Sequence, residues 1–278
     1  IGGVPAGLSC AYFLAKMGHN VQIFEAKAEL GGMLRYGIPD FRLPKDILDQ
    51  DIQNILSLKN ISVQTDCDIK TQEALDLLKK HYDAIYLAIG AQIGNKLPIS
   101  GSDATGVQSA VDMLDNFANG ELIDYSGKRV VVVGGGNVAM DAARTALRLG
   151  AKNVKIVYRR RIEDMTAIDE EIDAALQEGV EILPLLAPYK IETNAQGNVA
   201  AFLATVQVVG MFDKSGRPSV HDKKCENVKI NCDIVLFAIG QTIDSQVFEA
   251  FGLNAKKGRI LAEDNTCSAP GIYAGGDF

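Results

Sequence analysis

Two short glycine runs in this chain have the spacing that brings bare backbone up to a phosphate. The first is Gly2-Gly3-Val4-Pro5-Ala6-Gly7. Set against G-x-G-x-x-G, Gly2 and Gly7 match the outer glycines, and Val4 stands at the middle one. In that pattern the first glycine permits a tight turn, the middle one lets the main chain approach a pyrophosphate, and the third lets helix and strand pack closely. The following helix points its unbonded N–H groups and positive dipole end at the anion. Glu25 lies 18 residues beyond Gly7 at the end of an apolar run. A carboxylate there can accept hydrogen bonds from ribose hydroxyls. Val4 puts a branched side chain where bare backbone is wanted, so a clash or a shifted turn is expected.

The second run is Gly134-Gly135-Gly136-Asn137-Val138-Ala139, with Gly134, Gly136 and Ala139 at the three fingerprint positions. The next apolar strand ends in Tyr158-Arg159-Arg160-Arg161 rather than in an acid. Arginines at that place favour a ribose 2′-phosphate, which they bind through bidentate charge-assisted hydrogen bonds. An acid after the first turn and arginines after the second give the simplest assignment: FAD at the first and NADPH (NADP) at the second.

Each motif needs a strand, a turn, a helix and a second strand around it. The pattern predicts a helix over Ala6–Met17 stopped by Gly18, then a buried strand Val21–Glu25. An amphipathic helix over Pro44–Leu58, a strand Ile61–Gln64, a helix Thr71–Lys80 capped by Thr71, and an apolar strand Ala84–Ile89 follow. The second unit reads as a nearly all-valine strand Arg129–Val133, a helix Asn137–Leu149 and a strand Val154–Tyr158. Thr166 and Asp169 resemble a capping box for a helix through Gln177. The acids Glu163, Asp164, Asp169, Glu170 and Glu171 suit a helix N-terminus better than catalysis. Ile191–Val209 and Val220–Ile230 suit an antiparallel excursion, Asp233–Ala238 a buried strand, and Arg259–Ala274 two short strands. A strand–glycine turn–helix–strand unit thus occurs twice in an α/β chain.

Composition bounds the rest. The chain has 278 residues, 47% apolar and 23% charged, enough for about two domains with real cores. A net charge of −7 argues against nucleic acid as a partner. No run approaches the roughly 18 apolar residues of a membrane span. Cys10, Cys67, Cys225, Cys232 and Cys267 are scattered with no CxxC pair, so no zinc, iron–sulfur or dithiol motif is supported and a reducing cytoplasm is expected. The chain opens at Ile1 within a glycine motif and ends at Asp277-Phe278, and we expect it to be an internal fragment.

With these motifs placed, the chain resembles the small-chain (beta-subunit) type of NADPH-dependent glutamate synthase and its relatives, including the flavin part of dihydropyrimidine dehydrogenase. The resemblance rests on Gly31-Gly32-Met33-Leu34-Arg35-Tyr36-Gly37-Ile38-Pro39, Phe41-Arg42-Leu43, Gly134 to Asp141, Tyr158-Arg159-Arg160, Ala238-Ile239-Gly240-Gln241 and Gly271 to Asp277. It implies two Rossmann-like dinucleotide-binding domains in a thioredoxin-reductase-like arrangement. The FAD domain would comprise residues 1–110 and 244–278, with an NADP domain, 111–243, inserted into it. It also implies roles: Gly32, Arg35 and Ala88-Ile89-Gly90 along FAD, Gly276-Asp277 at its ribityl–pyrophosphate part, Arg159 and Arg160 on the 2′-phosphate, and Gly240 along the dinucleotide groove. The family's cysteine-rich iron–sulfur domain is absent from these residues. Iron–sulfur clusters are therefore expected only in a further domain or a partner, such as a glutamate synthase large-subunit-like chain.

The implied reaction passes hydride from nicotinamide to flavin, which requires no general acid or base, so no catalytic side chain is assigned. Two rival readings stand beside it. A disulfide reductase of the same plan would need a close redox cysteine pair. A non-catalytic nucleotide-binding or interaction subunit draws its support from Val4.

Overall fold

The valine run Arg129–Val133 alternates its side chains between two apolar layers, which is why almost every residue in it is apolar. In the computed structural model, which describes residues 1–212, 218–253, 267 and 269–277, this strand is the centre of a five-stranded parallel sheet. The lateral order is Val107–Ser109, Ile234–Phe237, Arg129–Val133, Asn153–Val157, Glu181–Leu183. Val130 and Val132 pack with Met140, Ala143 and Ala146 of helix Asn137–Arg148. Val131 and Val133 face the other way, onto Leu186, Ile191 and Phe202. Those residues belong to a three-stranded antiparallel sheet of Leu186–Thr193, Val199–Phe212 and Pro218–Asn231. Small residues let the helix Asn137–Arg148 sink in so far that everything from Ala139 to Ala146 is buried.

This unit comprises Gly94–Gly240. It starts earlier than the expected residue 111 and ends slightly before 243. Asn95 is bonded to Gly240, Ser100 and Thr105 are bridged to Lys190 and Asn198 of this unit, and Val107–Ser109 pairs with Ile234–Phe237 and leads into helix Ala110–Ala118. Buried Ser109 caps that helix, its Oγ accepting from Val111 N at 3.1 Å.

The other unit comprises Ile1–Ile93 and Gln241–Phe278. Val21–Phe24 pairs in parallel with Ile61–Gln64, and Ile85–Leu87 with Ile272–Ala274. Ile1 and Gly2 lie between these pairs, bonded to both. Gly2 N donates to Phe24 O at 2.8 Å, Ala88 N donates to Ile1 O at 2.8 Å, and Ile1 N donates to Tyr86 O at 2.7 Å. These bonds tie Ile1 and Gly2 to both strand pairs, and the first glycine turn rises from between them. Helices Pro5–Lys16 and Lys45–Leu56 contribute Leu8, Ala11, Leu48 and Ile52 to one core, with Ile23 and Leu30. Helix Gln72–His81, capped by Thr71 Oγ1, adds Leu75 and Leu78 to a second core with Leu87, Phe248 and Ile272. A further short helix, Met33–Tyr36, occupies the Gly31–Pro39 stretch.

Two local expectations are corrected. Thr166 and Asp169 form no capping box. Helix Asp169–Gln177 has Ile168 at its N-cap, and the Ile168 N–H is satisfied by Asn137 Oδ1 at 3.0 Å. Of the two strands expected between 259 and 274, Ile272–Ala274 is present, and 259–266 lie outside the described residues. Among the described residues, no helix is long and apolar enough to cross a membrane.

One ion cluster ties helix Asn137–Arg148 to helix Asp169–Gln177. Arg144 Nη1 donates to Glu171 Oε2 at 2.5 Å, Arg144 Nη2 to Glu178 Oε1 at 2.9 Å, and Arg148 Nη1 to Glu178 Oε2 at 2.6 Å. The hydrogen bonds from Arg148 and then Arg144 outweigh burial and hold the Glu178 carboxyl down to about 2. Its ordinary value is 4.5, so this stabilisation is complete above that pH and is lost as pH falls toward about 2. We expect Glu178→Gln to lower unfolding free energy at neutral pH by about 1–3 kcal/mol, since it leaves the buried Arg144 guanidinium under-compensated. Urea denaturation should show that deficit shrinking as the pH is taken below 4.5. A deficit of the same size at pH values near 2 would contradict the cluster's role.

Candidate functional site

In the first unit each turn glycine is required by a neighbour. A Cβ on Gly2 would lie 2.1 Å from Ala88 O, one on Gly3 2.2 Å from Leu30 Cδ2, and one on Gly7 2.0 Å from Gly2 O. The turn is thereby seated against Ala88-Ile89-Gly90, with Gly90 at φ +67. Pro5 opens the helix where its missing N–H costs nothing. Gly276 lies over Ala6, since a Cβ on it would come within 2.8 Å of Ala6 Cβ, so Gly276-Asp277 sits at the helix start. Glu25 is buried, its Oε2 accepting from Gly3 N at 2.7 Å and its Oε1 from Lys27 N at 2.9 Å. Each carboxylate oxygen keeps a second lone pair. Glu25 thus locks the turn and can still accept from a hydroxyl.

Gly32 has φ +54 and ψ −131, a combination open only to glycine, and lies against Val4. Arg35 is held by protein groups. Its Nε donates to Leu30 O at 2.6 Å, Nη1 pairs with Glu29 Oε2 at 2.7 Å, and Nη2 pairs with Asp49. The contacts it makes make it a clamp on the Gly31-Gly32 turn. Sequence reading missed a second clamp. Lys45 Nζ donates to the carbonyls of Ile38, Leu34 and Leu43 at 2.5, 3.2 and 3.2 Å. A lysine just after Leu43-Pro44 was the available signal, but nothing in its spacing says that three carbonyls converge on it.

The second turn repeats the construction. Gly134, at φ +148, would place a Cβ 2.2 Å from Ala238 O, and Gly135 one 2.6 Å from the Tyr158 ring. A Cβ on Gly136 would meet Thr166 Oγ1 at 3.3 Å. Gly135 O accepts from Thr166 N at 2.9 Å and Ala167 N at 3.1 Å. Asn137 and half-buried Val138 begin the helix, with the Asn137 side chain capping the next one. Gly240, at φ +103, accepts from Asn95 N at 3.0 Å.

The three arginines separate. Arg161 makes a two-pronged ion pair with Asp164, Nε and Nη2 both at 2.9 Å, and holds the Asp164 carboxyl below its ordinary value. Tyr158 Oη donates to Asp164 O at 2.8 Å, which fixes the same loop. Arg160 is half-buried, its carbonyl accepting from Leu185 N at 3.0 Å. Arg159 is exposed with no polar partner among the described residues, and so is the cation best placed to meet an incoming anion. The four described cysteines, Cys10, Cys67, Cys232 and Cys267, are all free thiols.

These turns match a known pattern. The family described as pyridine nucleotide-disulphide oxidoreductase matches residues 1–278. The chain belongs to that family. Among curated relatives, the NADP(+)-dependent formate dehydrogenase subunit beta of Moorella thermoacetica is 37% identical over 282 residues, covering 100% of this chain and 40% of the relative. The small chain of NADPH glutamate synthase from Escherichia coli is 33% identical over 298 residues, covering 100% of this chain and 62% of the relative. The chain therefore spans only part of each relative. Among solved structures, Mycobacterium tuberculosis FprA in complex with NADPH superposes with a TM-score of 0.80 at 19% identity, over 99% of this chain and 76% of that one. The expected two-domain Rossmann-like α/β fold and the glutamate synthase small-chain resemblance both hold.

The Gly134 contact yields a direct test. Gly134→Ala forces a Cβ into the Ala238 carbonyl and an unfavourable φ, and should cost about 1–3 kcal/mol of stability. Thermal melts should show the loss, together with weaker protection by NADP. An alanine variant with unchanged melting and NADP protection would refute the close approach.

Proposed function

We propose that this chain is the flavin-reducing core of an NADPH-dependent oxidoreductase, with FAD in the first unit and NADPH in the second. One observation carries the reading. The same glycine turn is built twice, and it is followed by a buried acid, Glu25, in one unit and by an exposed cation, Arg159, in the other. The acid suits a free ribose and the cation a phosphorylated one. The names of the two relatives, NADP(+)-dependent formate dehydrogenase subunit beta and the small chain of NADPH glutamate synthase, point the same way.

The residues fit these groups. In the second turn the middle glycine, Gly136, leaves space beside the backbone, since a Cβ there would meet only Thr166 Oγ1, at 3.3 Å. In the first, Gly2, Gly7, Gly32, Glu25, Ala88 and Gly276 form one cluster, with Val4 the single departure. When bound, the two cofactors supply hydride transfer from nicotinamide to flavin. The chain's residues bind and orient. Glu25 accepts from ribose, the first-turn amides of Ala6 and Gly7 face pyrophosphate, and Arg35 and Lys45 hold the Gly31–Leu43 loop that flanks it. Arg159 and Arg160 take the 2′-phosphate, Arg161 and Asp164 shape their loop, and Gly240 borders the groove. Asp277, next to Gly276 at the helix start, would meet the ribityl–pyrophosphate part.

The acceptor for those electrons would be an iron–sulfur domain or partner, such as a glutamate synthase large-subunit-like chain. The relatives are a beta subunit and a small chain, and both extend well beyond the part matched here. A cytoplasmic setting agrees with the free thiols.

Anaerobic titration of FAD-loaded protein tests the reading. NADPH should bleach the flavin more efficiently than NADH, and Arg159→Ala should erase most of that preference, about tenfold or more for a lost charged hydrogen bond. Equal efficiency for NADH, or an unchanged preference in Arg159→Ala, would overturn it.

A further inference from the structure

We infer that Val4 makes the first site a low-affinity one from which flavin exchanges readily, because its isopropyl group fills the gap into which a pyrophosphate would settle. The inference rests on the flavin reading of the first unit. Two turns face each other there, Gly2–Gly7 and Gly31-Gly32. They are pinned together by the hydrogen bond from Gly31 N to Gly3 O at 2.8 Å. Arg35, bonded to Leu30 O and paired with Glu29 and Asp49, keeps the second turn from backing away.

Both turns carry amide donors. Ala6 N and Gly7 N on one side, and Gly32 N and Met33 N on the other, have no acceptor among the described hydrogen bonds. Gly2 N and Gly3 N are already taken, by Phe24 O and Glu25 Oε2. A phosphate bridging the two rows would satisfy both. Val4 is the N-cap of the helix that carries the first row, and its side chain packs on the turn that carries the second. It is only 8% exposed, and its Cγ1 would lie 2.4 Å from a Cβ on Gly32. The bare Cα of Gly32 is what admits the valine, and in turn the valine occupies the space that a middle glycine would leave open. Methyl groups offer no hydrogen bond and strip water from an anion pressed against them. One row of amides instead of two would then hold a pyrophosphate. The second unit has no such obstruction. Gly136 stands at its middle position, where even an added Cβ would only touch Thr166 Oγ1, at 3.3 Å.

The test compares the unaltered chain with Val4→Ala and Val4→Gly, measuring FAD affinity by flavin fluorescence and NADP binding by thermal shift. Val4→Gly should bind FAD about tenfold more tightly, equivalent to about 1.4 kcal/mol. Val4→Ala, which keeps a Cβ and its backbone restriction, should fall between, and NADP protection should be equal in all three. FAD affinity that is unchanged or weaker in both variants would overturn the inference and leave Val4 as packing for Gly32, with the flavin reading intact. FAD binding absent from all three would overturn the inference and the flavin reading together.

Discussion

Both glycine turns exist because a carbonyl stands where a side chain would begin. Ala88 O lies in the path of a Cβ on Gly2, and Ala238 O in the path of one on Gly134. The surrounding hydrogen bonds repeat as well. Ala88 N donates to Ile1 O and Ala238 N to Val133 O, while Gly2 N donates to Phe24 O and Gly134 N to Val157 O. Each turn is locked into the strand on either side of it. The strands are parallel, so their ends and both helix N-termini collect on one edge of their own sheet, the edge where open α/β sheets bind ligands. The rest of each unit serves to keep that edge in register.

Charge then divides the labour between two turns of the same shape. Glu25 is buried and reaches back to Gly3 N, so the residue that would read a ribose also fastens the turn beneath it. In the second unit, Arg161 and Asp164 neutralise one another and stiffen the loop, which leaves Arg159 exposed beside it. Arg161 therefore shapes the loop, and Arg159 is left as its exposed cation. Arg35 belongs with Arg161: its charge is satisfied inside the protein, where it holds the Gly31-Gly32 turn.

Much of this was legible in the residues. The all-valine strand, the glycine spacing and the arginines after the second strand placed both turns and their helices to within a residue or two. What escaped was set by tertiary contacts. Val107–Ser109 is too short to announce itself, and it becomes a strand only because Ile234–Phe237 lies beside it. Thr166 looked like a cap, but Asn137, 31 positions before Ile168, supplies that hydrogen bond instead. The convergence of Leu34, Ile38 and Leu43 carbonyls on Lys45 is equally invisible in one dimension. Val4 was legible as a departure from the pattern. That Gly32 makes room for it was not.

The central claim is that the second turn recognises a phosphorylated ribose through Arg159 and Arg160. Phosphorus NMR of NADP bound to the protein reads that phosphate directly. A free phosphate monoester loses its second proton near pH of about 6, and flanking guanidinium groups favour the dianion. The account predicts that the 2′-phosphate resonance of bound NADP titrates clearly below that of free NADP, with the pyrophosphate signals shifted but not titrating. A 2′-phosphate that titrates in the complex as it does free in solution would contradict it.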